Sequence, residues 1–209
     1  MTLSAEKFSQ GMTTEQYIDI IKVNKDPFCQ IHDGVAIPEN VLAYFNGLEQ
    51  PVNLAVFTSD WCGDAMSTTP AILRLADASD NIRLSVFNRD DELELTNSFL
   101  PEHRAGTVPV FVVLDSEMGE IARFIETARS LVPTIDAMDE MVAQAAAAVS
   151  DEGERRQQTR GRRTAHRVSQ AAEWGSVILG EFQQVVASGM ALPASERPAE
   201  GGTQWPPQE

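Results

Sequence analysis

Residues 52–70 combine a buried strand, a cysteine and a helix, and this arrangement constrains the fold more than any other part of the chain. Residues 54–57 are apolar and predict a buried strand that ends at the polar residues 58–60. The sequence Trp61-Cys62-Gly63-Asp64 follows, and a helical pattern begins after it. Cys62 is therefore expected at a helix N-terminus, where unpaired backbone N–H groups carry partial positive charge. This position favours the thiolate and predicts a pKa for Cys62 below that of a free thiol.

The rest of the chain predicts strands and helices that alternate regularly. After two N-terminal helices, the order is strand, helix, strand, helix, then two strands that form a hairpin, and a last helix. This order predicts a compact α/β sandwich. The predicted strands are 52–58, 82–88, 109–114 and 120–126, and the predicted helices are 13–25, 38–45, 63–78, 91–99 and 132–148.

The composition divides the chain into four predicted parts. Residues 1–49 are expected to be a helical extension packed on the core, with Asp26-Pro27 ending its first helix and residues 28–37 forming a connector. Residues 50–149 form the α/β domain. Residues 150–189 are expected to be an arginine-rich linker and an amphipathic helix, and the Pro-, Gly- and Glu-rich residues 190–209 a disordered tail.

Two features of the C-terminal part leave alternatives open. Residues 151–163 predict either a polar linker or a solvated helix. Residues 164–187 show a helical apolar period, and such a face must pack either on the chain's own core or on another copy. A homo-oligomer formed through this helix is therefore one predicted partner arrangement. The arginines of residues 155–167 could be solvated, contact an acidic partner, or pair with the acidic core.

The charge of the chain excludes several classes of function. The 209 residues carry a formal net charge of −15, which argues against general nucleic-acid binding because that activity needs a basic face. No apolar run is long enough for a membrane span, and the N-terminus lacks an apolar signal-peptide core. We therefore expect a cytoplasmic protein in which Cys29 and Cys62, the two cysteines, are mostly thiols.

The residues that could carry chemistry each allow a structural interpretation as well. Cys62 is either a reactive thiol or a small buried residue, since unpaired cysteines are often buried. Asp64 fits the first turn of a helix, although its charge opposes formation of the Cys62 thiolate. His32, His103 and His166 lack metal-ligand spacing with one another or with the cysteines. We predict neither a metal site nor a cofactor.

The motifs of the chain resemble those of the thioredoxin family. Trp61-Cys62-Gly63 is similar to the start of the family's active-site motif, Pro70 lies where the family places a proline in the following helix, and Thr107-Val108-Pro109 resembles its cis-proline loop. The resemblance covers about residues 50–148. It implies a thioredoxin-like three-layer sandwich in which the 107–109 loop lies beside Cys62 and the Val108–Pro109 bond is cis. Trp61, Gly63, Asp64, Thr107, Val108 and Pro109 would then support Cys62.

The motif from Asp60 to Ala65 also resembles a bacterial branch of thioredoxin-like proteins that carry Asp-Trp-Cys-Gly-Asp and an N-terminal helical extension. Two positions depart from the dithiol enzymes of the family. Ala65 occupies the position of their resolving cysteine, and Val56 that of their buried acid. The resemblance therefore implies chemistry with one active-site cysteine.

Three functional hypotheses remain open at this stage. In the first, Cys62 carries out thiol–disulfide exchange with a protein or a low-molecular-weight thiol or disulfide. In the second, the chain is a non-catalytic binding or assembly module with a vestigial site. In the third, Cys29 resolves the disulfide formed at Cys62, which requires the two Cα atoms to approach within about 7 Å.

Overall fold

The computed structural model describes residues 3–203 and shows a five-stranded mixed sheet with helices on both faces. This architecture agrees with the predicted α/β sandwich and its flanking helices. The strands are β1 (Val52–Thr58), β2 (Ile82–Asn88), β3 (Val110–Leu114), β4 (Glu120–Ile125) and β5 (Ala199–Gly202). The helices are α1 (Ala5–Phe8), α2 (Thr14–Ile20), α3 (Lys25–Gly34), α4 (Glu39–Asn46), α5 (Gly63–Asp77), α6 (Leu93–Asn97), α7 (Val132–Ala146), α8 (Glu152–Ser169) and α9 (Ala171–Ala191).

The strand order of the sheet is β2-β1-β3-β4-β5. β1 and β2 pair in parallel, because α5 returns the chain to the same end of the sheet. β3 runs antiparallel to both β1 and β4, so the predicted hairpin is present. β5 pairs in parallel with β4 at one edge.

The sheet separates two apolar cores, and β1 contributes to both. All seven residues of β1 are buried. Leu54 and Val56 pack in the larger cluster, which α3, α5 and α9 cover, whereas Ala55 and Phe57 pack in the smaller cluster with α6 and the N-terminal segment. Because successive side chains of a strand point to opposite faces, a strand buried on both faces is mostly apolar; the two polar residues of β1, Asn53 and Thr58, are hydrogen-bonded.

The N-terminal helices differ from the prediction. The first predicted helix, 13–25, ends as α2 at Ile20, and the predicted connector 28–37 is largely helical because α3 covers Lys25–Gly34. Asp26-Pro27 was expected to end a helix, but here it begins one. Pro27 lies in the first turn of α3, where the missing proline N–H group has no intrahelical partner to lose.

The C-terminal part also differs from the prediction. Residues 190–209 were expected to be disordered, but residues 199–202 form β5 and Thr203 N donates a hydrogen bond to Ile125 O at 3.1 Å. Backbone pairing with an open sheet edge orders a segment whose composition has few apolar residues. The rest of the predicted tail, residues 204–209, lies outside the described residues.

For residues 151–163, the helix is the alternative observed, as part of α8. The predicted apolar helix 164–187 is divided between the end of α8 and α9. The apolar side chains of α9, among them Trp174, Ile178 and Phe182, are buried in the larger core. Of the two alternatives for this helix, packing on the chain's own core is therefore the one observed. Within residues 3–203, no helix has both the length and the apolarity needed to cross a membrane.

Candidate functional site

Cys62 lies where the sequence predicted, between the end of β1 and the first turn of α5. It is the N-cap residue of α5, with extended backbone angles, and its side chain is half-buried. Its Sγ atom lies 3.5 Å from the carbonyl oxygen of Val108, to which the thiol can donate a hydrogen bond. The Val108–Pro109 peptide bond is cis. The fold therefore brings the 107–109 loop, 46 residues away in the chain, onto the cysteine.

The environment of Cys62 opposes ionisation, contrary to the prediction. Burial is the main cause and raises the pKa of the Cys62 thiol, and the negative charge of Asp64 acts in the same direction. The backbone N–H groups of Ala65 and Asp64 lower the pKa, as does the guanidinium of Arg167, but these contributions are smaller than that of burial. The helix N-terminus does favour the thiolate, but it does not outweigh the lost hydration.

Trp61 stands on the surface beside Cys62, and two residues that follow β2 hold it in place. Its side chain is 51% exposed, which is unusual for a large apolar group. The indole Nε1 donates a hydrogen bond to Asp90 Oδ2 at 2.8 Å, and the guanidinium of Arg89 lies 5.2 Å from the ring centroid. Arg89 Nη1 and Asp90 Oδ1 are 3.2 Å apart. The exposed indole of Trp61, the residue before Cys62, is therefore held in one orientation.

Asp60 connects the strand end to the N-terminal helices. Its carboxylate accepts hydrogen bonds from the backbone N–H groups of Lys22 and Val23, at 2.8 and 2.9 Å. The side-chain amide of Asn24 donates to Asp60 O at 2.8 Å. Asp60 therefore accepts the hydrogen bonds of backbone N–H groups between α2 and α3, and it holds that turn against the loop that contains Cys62.

Asp64 connects the start of α5 to the C-terminal helices through Arg167. Arg167 Nη2 lies 3.2 Å from Asp64 Oδ1, and Nη1 donates to Ser67 Oγ at 2.7 Å. Arg167 is only 7% exposed, and its guanidinium also lies 5.9 Å from the ring centroid of Trp174. A Cβ atom added to Gly63 would lie 3.5 Å from Arg167 Nη2, so the guanidinium crosses directly over the residue that follows Cys62.

The loop that carries Pro109 is fixed by a second polar cluster. Glu126 N donates to Pro109 O at 2.8 Å, and Arg104 Nη2 lies 3.2 Å from Glu126 Oε2. The hydroxyl of Thr203 also donates to Oε2 of Glu126. Burial raises the pKa of the Glu126 carboxyl, although Thr203 and Arg104 both act in the opposite direction. Thr107, half-buried, donates its backbone N–H to Arg104 O at 3.0 Å and completes the loop.

Cys29 lies on α3 and is half-buried, and neither cysteine forms a disulfide. The turn before α3 contacts Asp60, whereas His32, later on α3, lies 3.7 Å from Asp77 near the far end of α5. α3 and α5 therefore run side by side in the same direction, with Cys29 about halfway along α3. A role for Cys29 in resolving a disulfide stays a prediction.

Two features of the site were missed or left undecided from the sequence. Arg167 was assigned only to a charged cluster, and Glu126 was not identified at all. The sequence signal for Arg167 is the spacing of Arg156, Arg160, Arg163 and Arg167, which places them on one helical face. Within residues 3–203, no three His, Cys, Asp or Glu side chains converge as metal ligands.

Comparisons with known proteins agree with this geometry. A family model described as thioredoxin matches residues 11–147. The 1.5 Å crystal structure of a protein of unknown function from Pseudomonas aeruginosa superposes with a TM-score of 0.60 and 17% identity, over 91% of this chain and 100% of that chain. An HIV epitope-scaffold superposes with a TM-score of 0.52 and 17% identity, over 80% and 93% of the two chains. A search of curated proteins gave no match.

Proposed function

The chain belongs to the thioredoxin family, whose model matches residues 11–147, and from this membership we propose that it is a thiol–disulfide protein that uses Cys62 as its single active-site thiol. The observation that carries the proposal is the position of the sulfur. Cys62 Sγ sits at the N-terminus of α5 and 3.5 Å from the backbone of the loop that contains Pro109. A disulfide that reaches this sulfur also meets Trp61 and backbone groups that can orient it.

The reaction is thiol–disulfide exchange. The Cys62 thiolate attacks one sulfur of a disulfide R–S–S–R, a bond forms between Cys62 and that sulfur, and the other half leaves as a thiolate. The proton released by Cys62 balances the one taken up by the departing thiolate. Ala65, where a resolving cysteine would lie, is buried and has no thiol. A low-molecular-weight thiol, a protein thiol or Cys29 therefore attacks the mixed disulfide and regenerates Cys62.

Mass spectrometry of the full chain with Cys29→Ser tests this proposal. We expect bis(2-hydroxyethyl) disulfide to form an adduct on Cys62 with a rate constant, per thiolate, above that of N-acetylcysteine amide under the same conditions. The adduct should be absent when Cys62 is also changed to Ser. A rate constant per thiolate no greater than that of the reference thiol would rule out an active site at Cys62.

We further propose that the chain belongs to the bacterial branch with the Asp-Trp-Cys-Gly-Asp motif and that it acts in the cytoplasm. Support for the branch is that each acid of the motif has a structural partner from an extension. Asp60 binds the backbone of Lys22 and Val23, and Asp64 pairs with Arg167. The motif therefore functions together with both helical extensions. A reducing compartment agrees with the two free thiols of Cys29 and Cys62.

The second candidate is a non-catalytic binding module, and the raised pKa of Cys62 favours it. A thiol that burial keeps protonated at neutral pH reacts slowly, as expected for a vestigial site. Alkylation of Cys62 by iodoacetamide as a function of pH separates the candidates. A low rate constant per thiolate would favour the binding module, whereas slow alkylation caused only by the raised pKa would agree with an active thiol.

A further inference from the structure

An open groove lies next to the residues that flank Cys62. Arginine is the most frequent residue type in its lining, which does not include Cys62 itself. Its volume is about 780 Å³, and it lies between the start of α5, the C-terminal half of α7 and one face of α8. Trp61, Gly63 and Asp64, which flank Cys62 in the sequence, form part of its wall. We call it the arginine groove and define it by Arg155, Arg156, Arg160, Arg163 and Arg167.

The arginines of the groove outnumber its acidic partners. Asp64 and Asp139 are the two carboxylates of the lining, and they pair with Arg167 at 3.2 Å and Arg163 at 2.8 Å. Arg156 pairs with Glu152 on its own helix. Arg155 and Arg160 have no carboxylate within 4.0 Å among residues 3–203, and Arg160 donates to the amide oxygen of Asn24 at 3.2 Å.

The clustering of these arginines lowers the stability of the folded state. Arginines three and four residues apart on a helix repel one another, and α8 carries such a row in a chain whose net charge is −15. The rest of the molecule has an excess of carboxylates, yet only two reach the groove. A surface that keeps positive charge together in an acidic protein is complementary to an anion.

We propose that the arginine groove binds the anionic groups of a small disulfide substrate that carries two or more carboxylates or phosphates, one sulfur of which the Cys62 thiolate attacks while the other leaves as a thiolate. This proposal rests on the proposed function and specifies its substrate class. The volume is in the range of small-molecule sites, and side chains from three helices border the groove. Guanidinium groups bind carboxylate and phosphate through paired N–H donors. Trp61, the residue before Cys62, adds an apolar side chain to the lining.

Three dialkyl disulfides of similar size provide the kinetic test. They are 3,3′-dithiodipropionate with two negative charges, bis(2-hydroxyethyl) disulfide with none, and cystamine with two positive charges. Adduct formation is measured on the full chain with Cys29→Ser, and each rate constant is divided by that of N-acetylcysteine amide with the same disulfide. We expect the normalised rate constant to fall from the dianion to the neutral disulfide to the dication, and the differences to shrink at high salt. Equal normalised rate constants would overturn the proposal.

The double variant Arg155→Gln/Arg160→Gln identifies the groove as the source of the charge preference. Neither arginine has a carboxylate partner among residues 3–203, so the change leaves no unpaired acid there. We expect the dianion preference to fall by about 5- to 10-fold, since each exposed cation contributes modestly. Arg162→Gln is the matched control, because Arg162 is exposed on the same helix and does not line the groove. Since the control removes one charge and the double variant removes two, a loss in the control of half the double variant's loss or more, on a logarithmic scale, would show a general charge effect and contradict the proposal.

A binding measurement separates this proposal from the proposed function. Isothermal titration calorimetry of 3,3′-dithiodipropionate with the Cys62→Ser protein measures binding in the groove, because this variant cannot carry out the exchange reaction. We expect binding that is weakened in the Arg155→Gln/Arg160→Gln background and retained with Arg162→Gln. If Cys62 proves unreactive but this binding persists, the proposed function fails and the groove stands as an anion site. If the neutral disulfide reacts at Cys62 but the dianion neither binds nor reacts faster, only the groove proposal fails and the proposed function stands.

Discussion

At the scale of single residues, the acidity of Cys62 depends on groups that lie far apart in the sequence. Burial raises the pKa of Cys62, whereas the backbone N–H groups at the start of α5 and the guanidinium of Arg167 lower it. Asp64 affects this pKa in two ways. Its own charge raises the pKa of Cys62, and its ion pair with Arg167 holds the guanidinium that lowers it. The charge of Arg167, on the C-terminal helix α8, therefore affects the reactivity of the Cys62 thiol.

Substitutions of Arg167 and Asp64 should shift the pKa of Cys62 in opposite directions. In the Cys29→Ser protein, Arg167→Gln removes a positive charge near the sulfur and should raise the pKa. Asp64→Asn removes a negative charge and should lower it. The pH dependence of iodoacetamide alkylation measures both, with Arg162→Gln as the control for charge alone. Shifts of the same sign in both variants would contradict this assignment.

His32 should make stability depend on pH. The Asp77 carboxylate is the main cause of a raised pKa for His32, and Asp33 adds to it. Since the folded state binds the proton more tightly, this contribution is full below the unfolded pKa of about 6.5 and is lost as pH rises through the folded pKa. In urea titrations, wild type should lose stability relative to His32→Gln as the pH rises above about 6.5.

His103→Gln is the comparison for this measurement, because His103 is exposed and makes no ion pair within residues 3–203. Its stability relative to wild type should stay nearly constant over the same pH range. A difference between wild type and His32→Gln that does not change with pH would show that the Asp77 contact has no energetic role.

At the scale of elements, α9 is part of the core and lies close to the sheet. A Cβ atom at Gly189 would come within 2.1 Å of Ile121 O, a backbone atom of β4, so only glycine fits at this approach. Gly180, on the same helix, has no atom within 4 Å of the corresponding position. Two of the three glycines of α9 therefore have different physical roles.

Alanine substitutions at these glycines should have opposite effects on stability. Gly189→Ala forces the helix away from β4 and should lower the free energy of unfolding by about 1–3 kcal/mol. Gly180→Ala removes backbone freedom from the unfolded chain without a clash and should raise it by up to about 1 kcal/mol. Urea denaturation measures both changes. Equal effects of the two substitutions would show that α9 does not pack on β4 as observed.

At the scale of the whole molecule, the helical extensions complete the α/β domain. The N-terminal extension is bound at Asp60, and the C-terminal extension at Asp64 and in the core. Phe182 of α9 packs against Phe45 of α4 and Phe124 of β4, with ring centroids 5.8 Å apart in each pair. The larger apolar core therefore contains residues from three of the four predicted parts. Association between copies stays a prediction.

A chain truncated after Val149 should not fold cooperatively, because it loses α9 and exposes the apolar surface that α9 covers. In the full chain, Phe182→Ala should lower the free energy of unfolding by about 3–5 kcal/mol and keep a single transition. Circular dichroism during urea denaturation tests both statements. A cooperative transition in residues 1–149 that matches wild type would show that the domain is independent of its extension.

The fold of residues 52–146 was largely predictable from the sequence, because each strand and helix there has its own period and its own end signals. The bounds of β1 and β2 agree with the prediction, and those of α5 and α7 differ by one or two residues at the C-terminus. The prediction failed for α3 and β5. Pro27 is compatible with both the end and the start of a helix, and β5 forms only because β4 offers an open edge.

The sequence by itself determined the strand–Cys62–helix unit and the single-cysteine motif, since neighbouring residues specify both. Only the tertiary structure decided the pKa direction of Cys62, the place of Arg167 above Gly63, and the position of the arginine groove. These properties depend on hydration and on charges brought together from segments about 100 residues apart, as the Arg167–Asp64 pair shows. Local sequence fixes where a thiol sits along the chain, but the electrostatic field at its sulfur is a sum over the folded molecule.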